Sequence, residues 1–424
     1  MFDLNFKYLF ILAEMLTVVY VYYRYRKAGE KEDYWSNGNL YLLLLSVIYL
    51  IVPGQIYIYE VFRLASFKES TLNQICNYSI YYWIVFFIFY LISSDGKFDK
   101  NNASKERMNQ LIASRLVLTS TSTFTLTLTS ILLFLITVIF TYNINLDIPR
   151  TEKYIIFTKI QQLPGFVFLS WFVIIWTFVL AIKKKKLYYF LSYTPLIYID
   201  LILAGRYYLF LSAVAIFLYF SIIKKIKVKL MYMILIPLIL QFIGAVRDGF
   251  NFGVGAIEKI VDLSGELINT WTSIGLLLEF DYTSNQNPFI LFLTRLIPQP
   301  LFGFLFGEKK SYADEINSMH HFDFGMGSSI LTEGFAYGSL FAIALPIIIG
   351  LIYFNVGKKF NKNRSLNSSV IHFMLIINVF SIYRGASIVN FASLISIYFI
   401  IYFLPRIFFM MQKTLVPQRS IYPS

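Results

Sequence analysis

Apolar residues in this chain come in long runs broken by short charged connectors. Crossing the ~30 Å hydrocarbon core of a bilayer takes about 20 mainly apolar residues as a helix. Eleven runs meet that need, at 5–23, 39–59, 77–93, 116–141, 163–182, 187–204, 207–223, 230–246, 328–354, 368–386 and 388–405. The rhythm fails once, between 247 and 327, where Arg247, Asp248, Glu279, Asp281, Arg295, Glu308, Asp314 and Asp323 are interspersed with Trp271, Phe289, Phe292, Phe302 and Phe304. A connector of that length is functional or disordered, and its aromatic content gives it enough to bury to be ordered. The pattern therefore predicts an all-α polytopic integral membrane protein with about 11 transmembrane helices: helices 1–8 over 1–246, one large loop over 247–327, and helices 9–11 with a tail over 328–424.

Two runs depart from a plain helical pattern. Between Leu118 and Ser130, Thr and Ser alternate in part with Leu and Phe, which in water would suggest a strand. A lone strand in lipid leaves its backbone groups unpaired, so a helix is expected. Its hydroxyls would bond back to the preceding turn or to neighbouring helices, or line a polar cavity. The second departure is the pair 187–204 and 207–223, two short spans that must meet in a tight turn at Gly205-Arg206.

Composition agrees with a membrane protein: 57% of residues are hydrophobic and 14% charged, against about a quarter charged in soluble domains. The net charge of +13 would suggest a nucleic-acid partner but for its distribution. Basic clusters follow every odd-numbered span: Arg24, Arg26, Lys27 and Lys31; Lys97 to Arg107; Lys183 to Lys186; Lys224 to Lys229; Lys358 to Arg364; and Arg406 with Lys413. The opposite connectors are sparser, with Arg63, Lys68, Arg150 and Lys153 among them. Clustered Lys and Arg mark the cytoplasmic side, so the N-terminus and the 247–327 loop are expected outside and the C-terminus inside, with no nucleic-acid partner. The first run lacks a small-residue cleavage site and reads as a retained span. Cys76 is the only cysteine, which excludes an internal disulfide, a zinc cluster of cysteines or a thiol pair.

Candidate chemistry collects on the outer side. Within the loop, 263–278 spaces Leu267, Trp271, Ile274 and Leu278 as a helix, either lying on the membrane or packed on other helices. The apolar stretch 289–297, stopped by Pro298, is too short to span and is expected at the interface or over a cavity. Arg206, Arg247, Arg295 and Arg384 sit at or near span ends, three of them close to a glycine. One outer arginine would snorkel to headgroups. Four suit a phosphate-bearing ligand, because guanidinium forks match phosphate oxygens and glycine allows close backbone approach. His320 and His321 could act as a general base or a hydrogen-bonding clamp. Glu333, ionisable and inside a membrane segment, is a site candidate by its cost alone. Zinc on His320, His321 and Asp323 is a weak reading, since adjacent histidines point apart, and no metal is expected. The sequence has no Asp-X-Asp pair and no phosphate loop ending in Gly-Lys-Ser/Thr, so nucleotide-driven chemistry is unsupported and no cofactor is expected.

These features together resemble the Wzy-type polymerases of O-antigen and related bacterial surface polysaccharides. The likeness lies in the aromatic-rich spans, the Gly-Arg turn at 205–206, the outer loop before the last three spans, Arg295-Leu-Ile-Pro298, the Gly327-Ser-Ser entry leading to Glu333-Gly-Phe-Ala-Tyr-Gly338, and Arg384-Gly385. The resemblance implies a multispan glycosyltransferase in the bacterial cytoplasmic (inner) membrane whose donor and acceptor are oligosaccharides on undecaprenyl pyrophosphate. The expected partners are that lipid-linked oligosaccharide, the bilayer and a chain-length regulator protein. Arg206, Arg247, Arg295 and Arg384 would bind the pyrophosphate; His320, His321 or Glu333 would deprotonate or orient the attacking hydroxyl. Two other functions fit the length and apolar content. A flippase for the same lipid-linked units should show internal halves and charges across the membrane depth. An O-antigen ligase shares the large outer loop.

Overall fold

With lipid rather than water around it, a chain this apolar must pair its own backbone groups, and helices do so within each segment. In the computed structural model the described residues contain helices, turns and no strand. The structure describes residues 2–27, 37–58, 67–93, 120–142, 153, 155–157, 159–160, 163, 165–203, 207–220, 271–284, 287–297, 329–362, 366–384 and 387–404. The elements are α1 (Phe2–Lys27), α2 (Gly38–Ser46) running through a π turn (Val47–Ile51) into α3 (Val52–Ile58), α4 (Glu69–Ile92), α5 (Ser120–Thr141), α6 (Phe166–Lys184), a 3-10 helix (Leu187–Tyr193) leading into α7 (Thr194–Ile202), and α8 (Tyr207–Tyr219). Then come α9, described over 271–279, α10 (Pro288–Arg295), α11 (Ile330–Ala336), α12 (Ser339–Lys362), α13 (Leu366–Arg384) and α14 (Ser387–Ile397), which ends in a π turn (Tyr398–Phe403).

Among the described residues six helices are long and apolar enough to cross a membrane, at Phe6–Lys27, Gly38–Gln55, Glu69–Ile92, Thr123–Thr141, Phe166–Lys184 and Ser339–Lys362. Four shorter apolar helices fall in the expected runs at 187–204, 207–223, 368–386 and 388–405. The run at 230–246 lies outside the described residues. The Thr-rich segment is helical: the Thr127, Thr129, Thr137 and Thr141 hydroxyls donate to carbonyls one turn back, at 2.7–3.0 Å. Two expected spans are broken. The 328–354 run divides into α11 and α12 at Gly338, whose φ of +100° is open to glycine at no steric cost. The 187–204 run begins as 3-10 helix and becomes α-helix at Thr194 with Pro195 in its first turn, where a missing N–H costs nothing.

The chain forms two compact units, Met1–Phe98 with Ala213–Ala392 and Asp99–Ser212 with Ser393–Ser424. In the first, side chains fix the sense of each helix. On α1, Thr17 accepts from the Trp83 indole at 2.9 Å, and further along Arg24 donates to the carbonyls of Tyr90 and Ser93; α1 and α4 are therefore parallel. Asn37, just before α2, donates to Ser93, and Trp271 donates to Leu50, so α2 runs back alongside them. Tyr81 donates to the Ile343 carbonyl, and Phe89 fills the space beside Gly350, which makes α12 parallel to α4. Tyr353 donates to Leu375 on the returning α13. Within this unit α1, α4 and α12 share one direction and α2 and α13 run the other way. The described part of α9 is packed, not surface-lying: Trp271, Ser273 and Ile274 are all buried.

In the second unit, the Ser130 hydroxyl on α5 donates to Ser192, Tyr193 donates to Ile174 on α6, and Trp176 donates to Ile401. Outward faces of α1 and α5 carry Val18, Val19, Phe124 and Ile139, each more than half exposed, which is the surface a helix presents to lipid.

Candidate functional site

Glu333 stands at the centre of what the structure assembles. Its helix, α11, opens with a capping box: the Ser329 hydroxyl accepts from the Thr332 amide at 3.1 Å while the Thr332 hydroxyl accepts from the Ser329 amide at 3.3 Å. Such reciprocal caps settle a helix too short to hold itself. Gly334 lies against α4, where a Cβ would meet the Tyr82 hydroxyl at 2.6 Å and the Ala342 backbone at 3.0 Å. Phe335 packs edge-on to Tyr78 with ring centroids 4.5 Å apart, and the Ser284 amide donates to the Ala336 carbonyl at 2.7 Å. Tyr82 is near the middle of α4, so α11 reaches into the bundle rather than resting on its end.

There the Glu333 carboxyl, with 0% of the residue exposed, meets the first turn of α14. One oxygen accepts from the Ser387 amide at 2.6 Å and from the Ser387 hydroxyl. The other accepts from the Ile388 amide at 3.0 Å. The carboxyl thus caps a helix it does not belong to, supplying acceptors for N–H groups that have none within the helix. Burying a carboxyl is costly unless its oxygens are satisfied, and these three hydrogen bonds supply that satisfaction.

Among the described residues the same device occurs twice more. Glu279, at the end of α9, accepts from the Lys68 amide at 2.9 Å and the Thr71 hydroxyl at 2.6 Å, with the Lys68 ammonium 3.2 Å from its other oxygen. It caps α4, and the Thr71 hydroxyl and Lys68 amide hold its carboxyl below the usual glutamate range. In the second unit the buried Asp200 of α7 accepts from the Leu209 amide in the first turn of α8 at 2.8 Å.

Of the residues expected from sequence, the side chain of Glu333 is described at this centre. Arg384 is the last residue of α13, and its side chain is outside the described residues. Arg295 ends α10, a helix capped by Asn287 through the Phe289 and Ile290 amides; a cation there complements the helix dipole. Leu291 of α10 is buried while Phe289 and Ile290 are exposed. Arg206, Arg247, His320 and His321 lie outside the described residues.

Sequence reading missed Ser387, Tyr82 and Asp200. A serine just before an apolar run, as at Ser387, is a helix-start signal, and Asp200 within a span was open to the same argument as Glu333. Glu14 on α1 is a further carboxyl inside a span.

Residues 3–414 match the family model described as O-antigen polysaccharide polymerase Wzy. No curated protein and no solved structure matches the chain. The family match extends along nearly the whole sequence, so the chain belongs to the O-antigen polysaccharide polymerase Wzy family.

Proposed function

We propose that this Wzy-family membrane protein joins undecaprenyl-pyrophosphate-linked oligosaccharide repeat units into O-antigen or a related surface polysaccharide, at the outer face of the bacterial cytoplasmic membrane. The family match over residues 3–414 is the observation that carries this reading. In the reaction, a hydroxyl at the non-reducing end of one unit attacks the anomeric carbon of the growing chain. A glycosidic C–O bond forms, the bond to the pyrophosphate oxygen breaks, the hydroxyl loses its proton, and the lipid pyrophosphate departs.

Charge develops on that leaving group, and preorganised donors aimed at such charge contribute several kcal/mol to lowering a barrier. Arg206, Arg247, Arg295 and Arg384 take this role in the proposal. Their support is the outer side that the basic clusters predict for them and, for Arg206 and Arg384, their places in the sequence just ahead of α8 and α14. His320 and His321 would orient or deprotonate the attacking hydroxyl. Basic clusters after each odd-numbered span support an outside N-terminus and a cytoplasmic C-terminus, and a chain-length regulator protein is a further partner in this reading.

Deleting the gene in its host and resolving the surface polysaccharide on a gel tests the activity. A polymerase predicts core bearing a single repeat unit. Loss of all repeats would point instead to a flippase or ligase, and an unchanged ladder would end the proposal.

A further inference from the structure

We infer that Glu333 is a positioning residue, whose buried carboxyl holds the junction between α13 and α14 and so fixes the backbone on which Arg384 is carried. The chemical purpose of that junction rests on the polymerase reading above; its geometry does not.

A general base must reach the proton it takes. Glu333 has 0% exposure, and both its oxygens are engaged by α14, one with Ser387 and one with Ile388. The group that carries this carboxyl is itself immobilised, by the Ser329–Thr332 capping box and by the contact of Gly334 with Tyr82. On the other side of the break, the Tyr383 hydroxyl donates to the Leu42 carbonyl at 2.8 Å and anchors the end of α13. The Asn390 side-chain amide then donates to the Ser381 carbonyl at 3.0 Å, tying α14 back to α13. Arg384 therefore follows one anchored residue and precedes the clamped Ser387 by three positions. The first amides of α14 are already occupied by a carboxyl, so they are not available to a phosphate in the way a bare helix N-terminus is. In the polymerase reading, anion recognition near this break is assigned to Arg384 by its place in the sequence.

The test uses the full-length enzyme in lipid nanodiscs, with turnover measured on a lipid-pyrophosphate-linked repeat unit and hydrogen exchange measured on the peptide covering 384–390. Glu333→Gln leaves one acceptor oxygen where there were two. It should speed exchange at Ser387 and Ile388 and raise KM for the lipid-linked unit on the order of tenfold, the equivalent of about one lost cap, with a smaller fall in kcat. Ser387→Ala should move KM the same way by less, and the double variant should be little worse than Glu333→Gln alone, because both changes loosen one contact. Unchanged exchange in Glu333→Gln would overturn the clamp. So would a collapse of kcat at constant KM with Ser387→Ala behaving as wild type, the mark of a group on the reacting atoms. Should Glu333→Gln fail to accumulate in membranes, wild-type KM in Ser387→Ala would overturn the inference and a raised KM would uphold it. A wild-type enzyme without polymerising activity would defeat the polymerase reading, and the exchange result would then decide the clamp alone.

Discussion

Glu333 and Ser387, 54 positions apart in the chain, are joined by hydrogen bonds from both the amide and the hydroxyl of the serine to one carboxyl oxygen. The bond is local in space and remote in sequence, and it lets one short helix determine where another begins. Glu279 of α9, capping α4, and Asp200 of α7, capping α8, repeat the arrangement within their own units. A helix N-terminus exposed inside a bundle would leave its first amides unpaired. Each of these carboxyls removes that cost and occupies a place where an anion would otherwise settle.

Tyr82 tests how closely α11 is fitted. Its hydroxyl is buried without a hydrogen-bond partner among the described residues and stands where a Gly334 side chain would go. Replacing Gly334 with Ala should cost about 1–3 kcal/mol through overpacking, seen as a lower Tm in detergent. Tyr82→Phe should be neutral or mildly stabilising, since an unpaired buried hydroxyl is a liability, and should recover part of the Gly334→Ala loss. A Tyr82→Phe protein that is stable yet inactive would mean the hydroxyl meets substrate.

Much of this fold was legible because lipid narrows the choices. The Thr-rich run had to be helical, and its hydroxyls bond back along the helix at Thr129 and Thr137. The weight of Glu333 followed from the cost of a carboxyl within an apolar segment. What it touches did not follow, because pairing Glu333 with Ser387 depends on how α11 and α14 pack, which no periodicity records. The break at Gly338 was hidden for a related reason: a lone glycine in an apolar run fits both a continuous helix and a turn. For α9, the spacing of Trp271 and Ile274 allowed a membrane-surface or a packed helix alike, and only their burial decides.

Glu279 gives a pH-dependent prediction. Its carboxyl is held below the ordinary glutamate value of 4.5 by the Thr71 hydroxyl first and the Lys68 amide next. A lowered folded-state value means that the stabilisation is complete above the unfolded value and fades as pH falls through the folded one. The Tm of the wild type should therefore drop on acidification below about pH 4.5, with a component that is missing in Glu279→Gln. Identical pH profiles for the two proteins would refute this role.

Asp200 is expected to grade by its acceptor. Asp200→Asn keeps an oxygen for the Leu209 amide, whereas Asp200→Ala removes it and should cost about 0.5–2 kcal/mol, the range for a lost cap. Thermal unfolding of the purified variants should rank wild type, Asn, Ala in that order. Asn and Ala variants of equal stability would show that the cap is not what Asp200 contributes.

The arginines are where the proposed chemistry is most exposed to test. Arg384 and Arg206 each precede in sequence a helix with early amides held by a carboxyl, Ser387 and Ile388 by Glu333 at α14 and Leu209 by Asp200 at α8. If these side chains neutralise charge on the departing pyrophosphate, Arg384→Ala and Arg206→Ala should reduce polymerisation by about 10²–10³-fold, the usual cost of one lost charge-stabilising donor. Lysine keeps the charge and loses the bidentate fork, so Arg384→Lys should fall between alanine and wild type. Each variant needs its membrane level measured alongside its polysaccharide ladder, because a loss of protein would shorten the ladder without touching the chemistry. An alanine variant at wild-type abundance that makes a full ladder would remove that arginine from the site. Lysine and alanine variants that are equally inactive at normal abundance would instead show that the guanidinium fork, and not its charge alone, is what the reaction requires.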